Sequence, residues 1–189
     1  MISIHPIRPE DLADVARLHR ESWRSAYRGI FSDAFLDSER VVETRQALWT
    51  RRLISEPSPG SFGFIAREAS GEALGFTFAF PAFDAQWGSL LDNLHVRPDQ
   101  KGRGIGRRLL AALSEHFLQK LGDVSELGLY LWVFEANTAA RAVYEHLGAR
   151  PAERVVITLQ DGSEAAEWRY VWRSPGELMR ALRAPRREA

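Results

Sequence analysis

From Val96 to Leu110 the chain reads Val-Arg-Pro-Asp-Gln-Lys-Gly-Arg-Gly-Ile-Gly-Arg-Arg-Leu-Leu, and no other stretch restricts the fold as tightly. Leu90 to Val96 has strand character and breaks at Pro98. Three glycines then alternate, Gly102, Gly104 and Gly106. An amphipathic stripe follows, with Ile105, Leu109, Leu113, Phe117 and Leu121 four residues apart. Lys120 sits in its last turn and Gly122 reads as its stop. The pattern predicts strand, glycine loop and helix in succession. Alternating glycines leave successive backbone N–H groups uncovered where the helix carries partial positive charge. Such a place suits a phosphate or pyrophosphate. Lys101, Arg103, Arg107 and Arg108 add mobile positive charge around it.

The dinucleotide spacing G-x-G-x-x-G fails, because the third glycine position falls on Arg107 counted from Gly102 and on Leu109 counted from Gly104. The P-loop pattern is absent too. A second segment narrows the choice. Leu129 to Phe134 is apolar and rich in β-formers, so it reads as a buried strand. Asn137 is a good N-cap for a helix carrying Ala140, Val143, Tyr144 and Leu147, and Gly148 suits its C-terminal turn.

Together these segments resemble the GCN5-related N-acetyltransferase (GNAT) superfamily. Its acetyl-CoA loop, [QR]-x-x-G-x-[GA], is matched by Lys101-Gly-Arg-Gly104-Ile-Gly106, with lysine where glutamine or arginine is usual. Its later N-x-x-A-x-x-x-Y-x-x-x-G is matched by Asn137, Ala140, Tyr144 and Gly148. The sharp motifs lie between about 88 and 149, and the resemblance covers about 1–173. It implies an α/β fold of one domain: a central, mixed, twisted sheet of about seven strands with helices on both faces. Residues 174–189 would then be a C-terminal helix and tail.

The rest of the chain agrees with that order. Residues 2–8 read as a strand, and Pro9 to about Gly29 as a helix with Leu12, Val15, Ala16, His19 and Trp23 on its apolar stripe. A second helix is predicted at about 39–54. Phe62–Arg67 and Ala73–Phe80 form a hairpin signal, Pro81–Gly88 a loop, and 152–159 with 164–173 a hairpin around Asp161-Gly162. The length, 189 residues, suits one domain with a sizeable core.

Basic and acidic residues number 25 each, which argues against broad nucleic-acid binding. The absence of cysteine removes disulfides, thiolate metal ligands and a cysteine nucleophile, and suits a cytoplasmic location. No run reaches membrane-spanning length and the N-terminus lacks a signal-peptide pattern, so no membrane partner is expected. The five histidines show no ligand spacing, so no metal is expected either.

The resemblance assigns roles residue by residue. Backbone N–H groups at Leu94, His95 and Val96 would hold the pantetheine and the acyl oxygen. Those from Lys101, Gly102, Arg103, Gly104, Ile105, Gly106 and Arg107 would meet the pyrophosphate, with Asn137, Ala140 and Tyr144 lining the cofactor. Tyr144 would protonate the leaving thiolate. A phenol pKa near ~10 exceeds that of a thiol near ~8.5, so the proton is present when needed. A core tyrosine would fall on the same apolar stripe. Asp92 is the first choice of general base, and strand alternation puts it on the face of Leu90, Leu94 and Val96. A structural Asp–Arg pair is the other reading. His95, on the opposite face, and Glu135 are further candidates.

Tyr27, Phe31, Trp87 and Glu135 are expected at the acceptor, with Phe83 nearby. Asp33, Asp37 and Asp84 lie beside these aromatics in sequence, which favours a cationic amine. The expected activity is therefore acetyl transfer from acetyl-CoA to a small primary amine. Acetylation of protein N-termini or lysines is the enzyme alternative, and a non-catalytic acyl-CoA-binding module the third. A homodimer is left open.

Overall fold

The computed structural model describes residues 1–121 and 127–184, with Leu121 described by its backbone alone. Gly122, Arg186 and Arg187 therefore lie outside the described residues. Strand β1 (Ser3–Pro6) leads through a short 3-10 turn into α1 (Leu12–Ala26). A helical turn, α2 (Asp33–Leu36), and α3 (Glu39–Thr50) follow, and a π-helical turn covers Arg51–Ser55. Next come β2 (Phe62–Arg67), β3 (Ala73–Asp84), β4 (Gly88–Val96), α4 (Ile105–Leu121) and β5 (Leu129–Phe134). The chain closes with α5 (Thr138–His146), β6 (Arg150–Thr158), β7 (Glu164–Trp172) and α6 (Pro175–Arg183).

The seven strands form one sheet in the order β1-β2-β3-β4-β5-β7-β6. Only β4 and β5 run parallel; every other neighbouring pair is antiparallel. On one face Val15 and Leu18 of α1 and Trp49 of α3 pack on Ile65, Phe76 and Phe78. On the other, Leu110, Leu113 and Phe117 of α4 pack with Leu178 and Leu182 of α6 on Leu91, Leu129 and Leu131. Helix α6 is part of this core, since Leu178 and Leu182 are buried and the Arg107 guanidinium is bonded to the Leu182 carbonyl.

Three local expectations change. The segment 81–88 is not a free loop: β3 runs on to Asp84 and closes a hairpin in which Asp84 pairs with Gly88. The second helix is regular only to Thr50, and Ser32-capped α2 is too short for any periodicity to show. Most consequential, β4 is not regular. Phe78 pairs with Asn93 and Ala79 with Leu91, so Asp92 is an extra residue, a β-bulge. Alternation resets there. Leu94 and Val96 pack with Ile105 and Leu109 of α4, whereas Asp92 turns to Arg52 on the α1–α3 side. The expectation that Asp92 shares the face of Leu94 and Val96 is thus corrected.

Candidate active site

Strands β4 and β5 pair only at Ser89–Leu129 and Leu90–Tyr130 and then diverge. Each is paired on its other side, β4 with β3 and β5 with β7, so the splay opens a slot through the sheet. Past Leu90 the β4 backbone groups facing this slot have no strand partner. Leu91, Asp92, Leu94, His95, Val96 and Lys101 line one wall, and Leu131, Trp132 and Val133 the other. Ser22 and Ala26 of α1 and Tyr27 just after it close one end; the cap Asn137 with Ala140, Val143 and Tyr144 of α5 close the other. An adjoining groove between α4 and α5 is lined by Leu94, Gly106, Arg107, Val143 and His146.

The glycine loop stands at the mouth of that groove. Gly102 and Gly104 adopt φ of +82° and +76°, a left-handed conformation that side chains resist. The first-turn N–H groups of α4 have no intrahelical acceptor, the ladder beginning with Arg108 N–H donating to Gly104 O. These donors and open space at the Gly102 Cβ position fit a pyrophosphate. The charge around it is thinner than the sequence implied. Arg107 donates to the carbonyls of Leu182 and Ala184, Arg108 to that of Ile2, and Arg103 pairs with Glu68. Only Lys101 of the four has no such engagement among the described residues. Ile105 is buried against Ala66, Leu74 and Leu109, so it can contribute only its N–H.

Asn137 caps α5, its side-chain oxygen accepting from Ala140 N–H at 3.3 Å, which fixes the pitch at which Tyr144 enters the slot. The Tyr144 ring packs edge-on against Trp172 at 6.2 Å. Burial pushes its pKa up, reinforced by the neighbouring Tyr27 phenol. Tyr27 is itself pushed up to about 12, again chiefly by burial. Both phenols stay protonated at neutral pH.

Asp92 accepts from Arg52 Nη1 at 2.6 Å through Oδ2, and the same nitrogen donates to Asn93 Oδ1 at 2.9 Å. The π-helical turn brings Arg52 here, over the rings of Trp49, Phe78 and Phe80. No described group bonds Asp92 Oδ1. His95 lies beside Ser22, its Nδ1 at 2.9 Å from the hydroxyl, and packs on His19 at 4.6 Å between ring centroids. Burial, aided by Arg45 and Lys101, holds its pKa at about 3, so it is a neutral imidazole and a poor base.

The expected acceptor residues do not all converge. Tyr27 lines the slot, but Phe31 is core, stacked on Phe35. Trp87 sits under Arg169 at a separate opening beside Gly128 and Trp172. Glu135 lies outside the slot, held by both nitrogens of an Arg154 fork and by Trp168 Nε1; these partners pull its pKa to about 2. Phe83 is exposed. The aspartates are committed elsewhere: Asp33 to Arg28, Asp37 to Arg24 and Arg28, Asp84 to the backbone of Gln86 and Trp87. The grouping that favoured a cationic amine is therefore not formed. Sequence reasoning also missed Ser22, Leu131, Trp132 and Arg52. The parallel neighbourhood of β4 and β5 was the one available signal for Leu131 and Trp132, and nothing local marks Ser22 or Arg52.

Residues 14–149 match the profile of the Acetyltransferase (GNAT) family. The chain is 29% identical over 139 residues to an uncharacterized N-acetyltransferase, YuaI, of Bacillus subtilis, covering 72% of this chain and 74% of that protein. Its fold is similar to PaiA N-acetyltransferase from Thermoplasma acidophilum in complex with coenzyme A. The TM-score is 0.60 at 23% identity, over 88% of this chain and 98% of that one. It is similar as well to a mutant of the spermidine N-acetyltransferase SpeG from Vibrio cholerae, with a TM-score of 0.65 at 16% identity over 94% and 96%. At these identities the two structures show the fold alone. Among the described residues, no helix is long and apolar enough to cross a membrane.

Proposed function

Since the chain belongs to the acetyltransferase (GNAT) family, and is an N-acetyltransferase that uses acetyl-CoA, we propose that its acceptor is the primary amine of a small molecule. The observation that carries this reading is the slot itself, a space of about 280 Å³ bounded by β4, β5, α5 and the end of α1. The β6–β7 turn is latched onto the α1–α2 arm: Leu159 packs with Phe31, Phe35 and Leu36, and Asp161 Oδ2 accepts from Ser32 N–H at 2.7 Å. A slot of that size, walled by two strands and two helices, suits a compact acceptor better than an extended peptide.

When bound, acetyl-CoA supplies the acetyl group as a thioester. The chain's own residues do the rest. First-turn N–H groups of α4 and the loop glycines anchor the pyrophosphate, and the unpaired edge of β4 beyond Leu90 offers N–H donors to the acyl oxygen. Asp92 accepts a proton from the acceptor nitrogen at Oδ1, directly or through water, which frees the lone pair that attacks the acyl carbon, while Arg52 holds the carboxylate still. An alkylamine has a pKa near ~10.4 and is mostly protonated at neutral pH, so a proton acceptor is needed as its nitrogen bonds to the acyl carbon. Tyr144 donates to the departing sulfur. Its raised pKa keeps the proton available and makes full transfer less favourable than from a free phenol, so the donated hydrogen bond carries much of the stabilisation.

The test is acetyl-CoA turnover with small amines, amino acids, aminoglycosides and peptide N-termini at equal concentration. Small amines should be acetylated. A clear preference for peptides would favour the protein-acetylating alternative and reject this reading. Asp92→Asn should lower kcat/KM and flatten its acidic limb; an unchanged profile would remove Asp92 as the base.

A further inference from the structure

Ser22 of α1 and His95 of β4 both line the slot, and both are buried apart from it. Ser22 Oγ stands 2.9 Å from His95 Nδ1. Which of the two donates is settled at Asn93. Arg52 Nη1 lies 2.9 Å from one end of the Asn93 side-chain amide. A guanidinium only donates, so that end of the amide is its oxygen, Oδ1. The other end, Nδ2, then faces His95 Nε2 at 3.4 Å. An amide nitrogen only donates, so Nε2 is the bare nitrogen of the ring and Nδ1 carries the hydrogen. His95 therefore donates to Ser22. Burial keeps the ring neutral, in keeping with a single ring hydrogen.

The hydroxyl hydrogen of Ser22 is left over, since it cannot point at Nδ1–H. Thr44 and Thr50 of α3 turn theirs to the carbonyls four residues back, those of Arg40 and Gln46. Ser22 makes no such bond, and among the described residues no group accepts its hydrogen. A buried O–H without an acceptor carries the full cost of leaving water. The open side of Ser22 is the slot, where Ala26, one turn further along α1, adds only a methyl group to the same wall.

We infer that Ser22 is a specificity-determining residue whose hydroxyl donates to a carbonyl, ether or hydroxyl oxygen of the acceptor, so that the substrate is an amine carrying an oxygen acceptor rather than an alkylamine or a polyamine. Each link of the chain Arg52, Asn93, His95 and Ser22 donates to the next, and the last donor faces the slot. A second ammonium brings only donors and leaves the Ser22 hydrogen unmatched. The same Arg52 nitrogen holds the Asp92 carboxylate, so one guanidinium orients both that group and, through Asn93 and His95, the Ser22 hydroxyl. This inference rests on the small-amine reading and gives that substrate a second functional group.

Two measurements test it. Long-range proton–nitrogen NMR correlation of the histidine-labelled protein, with His95→Gln for assignment, reads which His95 nitrogen bears the hydrogen. Nδ1–H is expected; Nε2–H would reverse the chain and overturn the inference. The second measurement compares amines of matched shape with and without an oxygen. The ether arm pairs 2-methoxyethylamine with butylamine and 3-methoxypropylamine with pentylamine. The amide arm pairs glycinamide with isobutylamine and β-alaninamide with 3-methylbutylamine. Binding to the protein saturated with CoA is measured by calorimetry, and turnover with acetyl-CoA is measured separately. At the spacing that fits, the oxygen-bearing member should bind about tenfold tighter. That ratio should fall toward one in Ser22→Ala, whereas Ser22→Thr, which restores a hydroxyl, should keep most of it. Equal binding within every pair, or a preference that survives Ser22→Ala, overturns the inference. A preference lost in Ser22→Ala alongside no turnover of any amine supports the Ser22 site and rejects the small-amine acetyltransferase reading instead.

Discussion

Tyr144 and Gly104 are the residues whose chemistry depends least on context. Tyr144→Phe keeps the ring against Trp172 and removes only the hydroxyl. We expect kcat to fall by about 10²-fold with little change in CoA affinity, as for other acid–base groups; a variant with full kcat would leave Tyr144 a packing residue. Burial raises the Tyr144 pKa, so any alkaline limb below the ordinary phenol value near ~10 belongs to another group. Gly104 sits at φ +76°, where a β-branched side chain is strained whatever the space around it. Gly104→Val should fold but lose CoA affinity by calorimetry, and undiminished affinity would remove the loop as the pyrophosphate site. Both residues could be singled out in the sequence because the proposed roles rest on local spacing. Glu135 and Trp87 were not, since whether a carboxylate or an indole is free depends on distant partners, here Arg154, Trp168 and Arg169.

At the scale of elements, the slot exists because β4 and β5 are joined at one end and parted at the other. Gly88 makes the join. It has φ +84°, and a Cβ there would overlap the Gly128 carbonyl oxygen, which accepts from Ser89 N–H at 2.8 Å. Gly88→Ala should cost about 2–4 kcal/mol in urea unfolding through strain and a displaced strand end, and should lower turnover in the fraction that folds. A variant within about 0.5 kcal/mol of the parent would show that the join tolerates displacement. The bulge at Asp92 is the second device of this kind. It turns the carboxylate toward Arg52 while Leu94 and Val96 continue to face α4. The body of each strand was readable from composition and turn residues, but the run of β3 on to Asp84 was not. The bulge was not, because a two-residue period carries no mark of where a partner strand slips by one.

For the molecule as a whole, two buried neutral histidines, His19 of α1 and His95 of β4, should weaken folding at acid pH. Burial holds His95 at about 3 and depresses His19 in the same direction, whereas unfolded histidine titrates near ~6.5. Between those values the unfolded chain binds protons that the folded protein excludes. Stability is therefore highest above about pH 6.5 and is lost as the pH falls, by an amount on the order of a few kcal/mol. His95→Gln should lose less stability than the parent between pH 7 and pH 4.5 in urea titrations; equal losses would remove His95 from the groups that govern the acid side. What the sequence by itself determined was the order of the strands and longer helices, the glycine loop, the α5 motif and the family. Each rests on contacts between residues close in the chain, or on periodicities of two and four. Tertiary structure alone decided which charges are left over. Arg107, Arg108, Asp33, Asp37 and Glu135 are each taken up by a neighbour, several of them distant in sequence, and buried Arg45 has no carboxylate partner among the described residues. Ion pairing is a choice among partners that only the folded chain brings within 4 Å, so no local motif could have fixed it.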